Sequence, residues 1–168
     1  MVKNIFLGIG SNKGDRLEYL KKAVHKIQED KESWIENISS VFESEPYGKK
    51  EQNRFYNAVV KVSSNRTSED IYMWIKNLEK EIGRIPAEKW GPREIDIDLL
   101  FYNNLVYNDG FVIIPHKEIL FRDFVLVPMQ QVAPEFEHPV DKIKMKDIDL
   151  RKIEKLIFNE YKIDFLKI

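Results

Sequence analysis

Residues 95–102 alternate: Ile95, Ile97, Leu99 and Phe101 fall on one side, Asp96, Asp98, Leu100 and Tyr102 on the other. A period of two belongs to a strand with one face in a core. Just upstream, Gly91-Pro92 breaks the chain and delivers Arg93 to the head of that strand. Asp96 and Asp98 then leave the same face, with Cα atoms roughly 6.5–7 Å apart. Carboxylates that close repel unless something positive sits between them. A hard cation is the natural partner, since carboxylate oxygens suit Mg²⁺ and Mg²⁺ commonly arrives with nucleotide phosphates. The competing reading is an edge strand kept charged against aggregation. Gly-Pro-Arg and the basic residues elsewhere favour the cation.

Around that strand the pattern lays out an order of elements. Residues 2–9 read as a buried strand, followed by a turn at Gly10-Ser11-Asn12-Lys13-Gly14. Asp15 is placed to cap a helix carrying Leu17, Leu20, Val24 and Ile27. Residues 35–44 and 55–62 read as strands, joined by a polar loop. Thr67 or Ser68 caps a second helix with Ile71, Ile75, Leu78 and Ile82 on one face, and Gly83 ends it in a left-handed turn. A second polar loop, residues 84–92, leads into the aspartate strand. Asn103-Asn104 should turn the chain back into a hairpin. The order β-α-β-β-α-β predicts an α+β, ferredoxin-like antiparallel sheet with both helices on one face and the opposite face free for a ligand. A C-terminal hairpin and short helices follow, one beginning at Pro128. Leu150, Ile153, Leu156 and Ile157 suggest a last amphipathic helix. We expect one domain over residues 1–168, with residues 141–168 a less specific extension.

Composition excludes several classes. Basic and acidic residues number 27 and 28, so the net charge is −1, and no global field draws the chain to nucleic acid or to an anionic membrane. There is no cysteine, hence no disulfide and no thiolate nucleophile or ligand. No apolar run is long enough to span a bilayer. These features read as a cytoplasmic protein, expected to be a monomer.

Arg84, Lys89 and Arg93 bracket the second loop, and His116 and Arg122 come later. Guanidinium forks match phosphate oxygens. Paired aspartates, several cations and mobile loops are what phosphoryl-group transfer needs. A P-loop and a dinucleotide fingerprint are both missing from the sequence, so a nucleotide would have to be held by loop and sheet residues.

Taken in order, Glu79-x-x-x-Gly83-Arg84, Trp90-Gly91-Pro92-Arg93-x-x-Asp96-x-Asp98, Pro115-His116 and Arg122-x-Phe124 resemble the 6-hydroxymethyl-7,8-dihydropterin pyrophosphokinase family. Gly10-Ser11-Asn12 and Phe55-Tyr56-Asn57 are similar to it too, and the likeness runs from about residue 4 to Pro134. The resemblance implies a ferredoxin-like fold and transfer of pyrophosphate from ATP to 6-hydroxymethyl-7,8-dihydropterin, releasing AMP, in folate biosynthesis. It implies Asp96 and Asp98 as ligands of two Mg²⁺ ions, and Arg84, Lys89, Arg93, Asp96 and Asp98 as the catalytic set. ATP would be held by Glu79, Arg84, Lys89, Arg93, His116 and Arg122. The pterin would be held by Ser44, Pro46, Tyr47, Phe55, Asn57, Trp90, Asp96 and Phe124, with its ring between the two phenylalanines. Glu45, Tyr47 and Pro86 depart from the family's usual residues and should alter affinity or loop motion. Two other readings are a non-catalytic pterin binder and a ferredoxin-like nucleic-acid-binding module. The latter would want an RNP-like motif and a basic stripe, and the sequence has neither.

Overall fold

The computed structural model describes residues 1–167. Strand β1 (Lys3–Ser11) lies inside the sheet, and its two faces differ sharply. Ile5, Leu7 and Ile9 enter one core; Phe6, Gly8 and Gly10 face the other way. Helix α1 (Arg16–Gln28) follows, with Asp15 accepting the Glu18 N–H as its N-cap. Strands β2 (Ser33–Ile38) and β3 (Val41–Ser44) both pair with the long β4 (Phe55–Ser64), β2 with its second half and β3 with its first. The single strand expected over residues 35–44 is therefore broken at Ser39-Ser40. There the Ser39 hydroxyl accepts the Val59 N–H and spares β4 an orphaned donor. Helix α2 (Ser68–Ile82) is capped by Thr67 and ends at Gly83, whose φ of 117° is left-handed. Strand β5 (Asp96–Tyr102) closes the motif beside β1.

All pairings are antiparallel, in the order β5-β1-β4-β3 with β2 also on β4. Helices α1 and α2 cover one face, burying Leu20, Val24, Ile71 and Ile75 against Ile5, Leu7, Val60 and Val62. That is the ferredoxin-like arrangement which the order of elements implies.

Four further features differ from the sequence reading. Strict alternation along β5 fails at Leu100, where the register against β1 slips between Phe6 and Leu7. The bulge rotates Phe101 onto the second core with Phe6 and returns Tyr102 to the helix face. Asn103 does turn the chain (φ 47°), but the returning strand β6 (Tyr107–Asn108) pairs with β7 (Ile113–Ile114) and not with β5. A third helix, α3 (Asp123–Val132), begins five residues before Pro128 and contains it. Leu126, Met129 and Val132 pack on Phe6, Val59 and Phe101, so part of the second sheet face is covered rather than free. Finally, the expected C-terminal amphipathic helix is instead two short 3₁₀ turns and a strand, β8 (Ile157–Tyr161), that extends the sheet beyond β3. The open edge of β3 offers unpaired backbone groups, and satisfying them outweighs a weak helical pattern.

Candidate active site

The uncovered end of the second sheet face is floored by Gly8 and Gly10. A Cβ on Gly10 would lie 2.8 Å from the Asn57 amide oxygen, so glycine here is what lets Asn57 lie flat across β1. The Asn57 amide nitrogen donates to the Ser44 hydroxyl at 2.7 Å. Phe55, one pleat along β4, and Phe124, in the first turn of α3, line the cavity with Ser44, Asn57, Tyr47 and Trp90. The cavity measures about 60 Å³. A cavity of ~150 Å³ takes a single benzene, so a bicyclic ring needs the side chains above to move. The Arg122 guanidinium lies 4.4 Å from the Tyr47 ring and 5.7 Å from the Phe124 ring.

Asp96 and Asp98 reach this cavity from β5, as the period of two requires, but in different states. Asp96 is held by cations: Arg84 at 3.0 Å and Arg93 at 3.2 Å. Asp98 has no ion-pair partner among the described residues. Burial first, and the neighbouring Asp96 second, push its carboxyl up to about 7. Lys76, Arg122 and Arg93 oppose that rise from longer range without overcoming it. Arg84 is fixed from below by Glu79, which is 3% exposed, lies 2.8 Å from the guanidinium and accepts the Ile97 N–H at 2.8 Å. Burial lowers the Arg84 pKa, but Asp96 and Glu79 outweigh it and leave it above the ordinary value. His116 and Arg122 are both depressed, His116 by burial and then by Arg122, Arg122 chiefly by burial.

A second cleft, of about 330 Å³, opens on the far side of the aspartates between α2 and the β6–β7 hairpin. Tyr72, Lys76, Phe111 and Lys117 line it, and Asp98 and His116 line both spaces.

Most of the residues singled out in the sequence meet here: Ser44, Tyr47, Phe55, Asn57, Trp90, Arg93, Asp96, Asp98, His116, Arg122 and Phe124 all line the first cavity. Four do not line either space. Glu79 and Arg84 lie behind Asp96, Pro46 is buried beside the loop, and Lys89 is exposed with its ammonium 5.9 Å from the Trp90 ring. Sequence reasoning quoted Asn12 within its Gly10-Ser11-Asn12 turn but gave it no role in the site, and it passed over Gln52. Asn12, 1% exposed, donates to Gln52 and to the Asn53 carbonyl and accepts the Arg93 N–H. Gln52 in turn donates to the Trp90 carbonyl at 2.9 Å, tying residues 45–54 to residues 84–92. A buried amide needs such partners, and Asn12 in its Gly-Ser-Asn turn was the available signal.

A slot lined by two phenylalanines and a larger cleft that share a carboxylate, with guanidinium groups near it, suit a transferase of phosphate-type groups. Comparison with known proteins specifies which. The family model for 7,8-dihydro-6-hydroxymethylpterin-pyrophosphokinase (HPPK) matches residues 6–134. A 2-amino-4-hydroxy-6-hydroxymethyldihydropteridine pyrophosphokinase of Aquifex aeolicus is 40% identical over 143 residues, 85% of this chain and 88% of that protein. The protein of the same name in Bacillus subtilis is 30% identical over 132 residues, 79% of each chain. A Plasmodium falciparum HPPK-DHPS structure with pterin and p-hydroxybenzoate superposes with a TM-score of 0.70 at 17% identity, over 88% of this chain and 41% of that one. That likeness speaks for the fold. The chain belongs to the HPPK family. It is a pyrophosphokinase that takes ATP and 6-hydroxymethyl-7,8-dihydropterin as substrates, in folate biosynthesis.

Proposed function

We propose that the two spaces hold the two substrates and that transfer takes place between them, at Asp98. The observation that carries this reading is that Asp98 and His116 line both the slot and the cleft. The pterin ring lies between Phe55 and Phe124, with Asn57 and Ser44 reading its edge. ATP lies in the cleft, its triphosphate turned toward the aspartates. The hydroxymethyl oxygen forms a bond to the β-phosphorus; the bond from that phosphorus to the oxygen bridging to the α-phosphate breaks, and AMP leaves with the bridging oxygen. The hydroxyl proton goes to solvent.

Asp96 and Asp98 fit a pair of Mg²⁺ ions: Asp98 is buried without an ion pair among the described residues, and Mg²⁺ takes one or two carboxylates with phosphate oxygens and water completing its shell. Bound there, the ions would neutralise phosphate charge and acidify the attacking hydroxyl. The chain's own residues do the rest. Arg84, behind Asp96, and Arg93 fix that carboxylate, and Arg93, which also lines the slot, presents a guanidinium suited to phosphate oxygens. His116, kept neutral at pH 7 by its depressed pKa, offers the nucleotide a hydrogen bond without charge. Lys89 and Trp90 fold over from residues 84–92, and Gln52 and the Lys49–Glu88 pair hold that loop against residues 45–54. The reading takes residues 1–168 as one catalytic domain acting as a cytoplasmic monomer without nucleic acid. No helix among the described residues is long and apolar enough to cross a membrane.

AMP release with ATP, Mg²⁺ and 6-hydroxymethyl-7,8-dihydropterin tests it. AMP should require the pterin, stop with EDTA and return with excess Mg²⁺. Undiminished AMP formation in EDTA would overturn the metal assignment.

A further inference from the structure

The two walls of the pterin slot come from distant parts of the chain, and one C-terminal segment is hydrogen-bonded to both. One wall is the end of β3 and the loop it enters, with Ser44 and Glu45; the other is the start of α3, with Arg122 and Phe124. Residues 156–158 run between them. On the first side the Glu45 N–H donates to the Leu156 carbonyl at 2.9 Å, and Ser44 faces Ile157 in the β3–β8 ladder. On the second, Asp123 accepts the N–H groups of Leu156 and Ile157 at 2.9 and 3.0 Å, both through Oδ2. Its other oxygen is buried with no partner among the described residues, so the hydrogen bonds this carboxylate makes to the protein there go to the tail. Asp123 and Leu156 are each 6% exposed. One residue on, the Phe158 ring supports the Arg54 guanidinium at 3.6 Å, and Arg54 donates to Glu45 at 2.8 Å.

We infer that Asp123 is a positioning residue for pterin recognition: by gripping residues 156–158 it fixes the distance between the Ser44–Glu45 wall and Phe124. It touches neither substrate. This rests on the reading that the pterin lies against Phe124. A carboxylate is a costly group to bury, and one spent on two backbone donors of a remote strand, next to the aromatic wall of a ligand slot, acts on that wall's placement. Asp98 and His116 are shared, but the rest of the nucleotide side comes from elsewhere: Tyr72 and Lys76 lie on α2 and Lys117 just after β7, whereas among the described residues β8 pairs with β3 alone.

The test measures KM for pterin and for ATP separately, with kcat, in Asp123→Ala, Asp123→Asn and Phe158→Ala, alongside pterin affinity by fluorescence in a non-hydrolysable ATP analogue. Asp123→Ala strands two backbone donors and should raise the pterin KM and dissociation constant about tenfold, with the ATP KM and kcat within about twofold. Asp123→Asn keeps an acceptor oxygen in place and should recover most of that loss. Phe158→Ala, at a residue 58% exposed, should raise the pterin KM about threefold in the same pattern. Should Asp123→Ala fail to fold by circular dichroism, Phe158→Ala decides by the same criterion. An unchanged pterin KM, or pterin and ATP KM rising together, would overturn the inference. Phe124→Ala separates the two levels. If it leaves pterin affinity intact, the placement of the pterin is wrong; if it abolishes affinity while Asp123→Ala does nothing, only the positioning role is wrong.

Discussion

Replacing Asp98 with asparagine should make the ligand-free enzyme more stable and leave it inactive. Burial, with Asp96 beside it, raises the Asp98 carboxyl from 3.8 to about 7. An acid whose folded pKa is raised favours folding while it stays protonated. As pH climbs from about 4 to 7, the unfolded chain gives up the proton and the folded chain retains it, so stability falls. Each unit is worth about 1.4 kcal/mol, which sets an upper bound of ~4 kcal/mol for the ionised group. Asparagine has the same shape and no charge. The stability difference between Asp98→Asn and wild type should therefore grow between pH 5 and pH 8 by ~2–3 kcal/mol, from the two units that separate pH 5 from the folded value. Urea titrations of metal-free protein at both pH values measure it. At pH 8 the variant should melt several degrees higher, since a chain of this size gains roughly 2–4 °C per kcal/mol. A difference that stays the same at the two pH values would refute the argument. So would a variant that is stabilised yet turns over normally, because the charge would then have no role in the reaction.

Glu79→Ala removes the acceptor of the Ile97 N–H and the brace under Arg84; unfolding free energy should drop by ~2–4 kcal/mol and turnover should fall with it. Gly10→Ala places a methyl group against the Asn57 amide and should raise the pterin KM about tenfold while the ATP KM holds, read by steady-state kinetics. Gln52→Ala cuts the bridge between residue 52 and the Trp90 carbonyl. Hydrogen exchange should quicken in residues 84–92, with little change in melting temperature because the bridge is exposed; unchanged exchange would show that the loops are not coupled through it.

Legibility followed the range of the forces involved. Helices α1 and α2 were readable because periodicity and caps are local: Asp15, Thr67 and Gly83 do in the structure what their types suggest. Helix α3 was misplaced because Pro128 suggests a start. Its true start follows from Leu126, Met129 and Val132 finding Phe6 and Phe101, a match no short window contains. Strand β8 was hidden for a similar reason, since its partner β3 lies more than a hundred residues earlier. In the site, the shared face of Asp96 and Asp98 could be read from the chain, as could the family to which the motifs point.

The sequence by itself thus determined the alternation that puts two carboxylates together and the order of elements of the motif. Tertiary structure alone decided that Arg84 and Arg93 attach to Asp96 while Asp98 forms no ion pair among the described residues. It also decided that Glu79 supports the site from behind, and that the C-terminal strand spans the pterin walls. The division is physical: side-chain period and backbone propensity act over a few residues, whereas charge pairing and desolvation depend on which distant groups the folded sheet brings within a few ångströms.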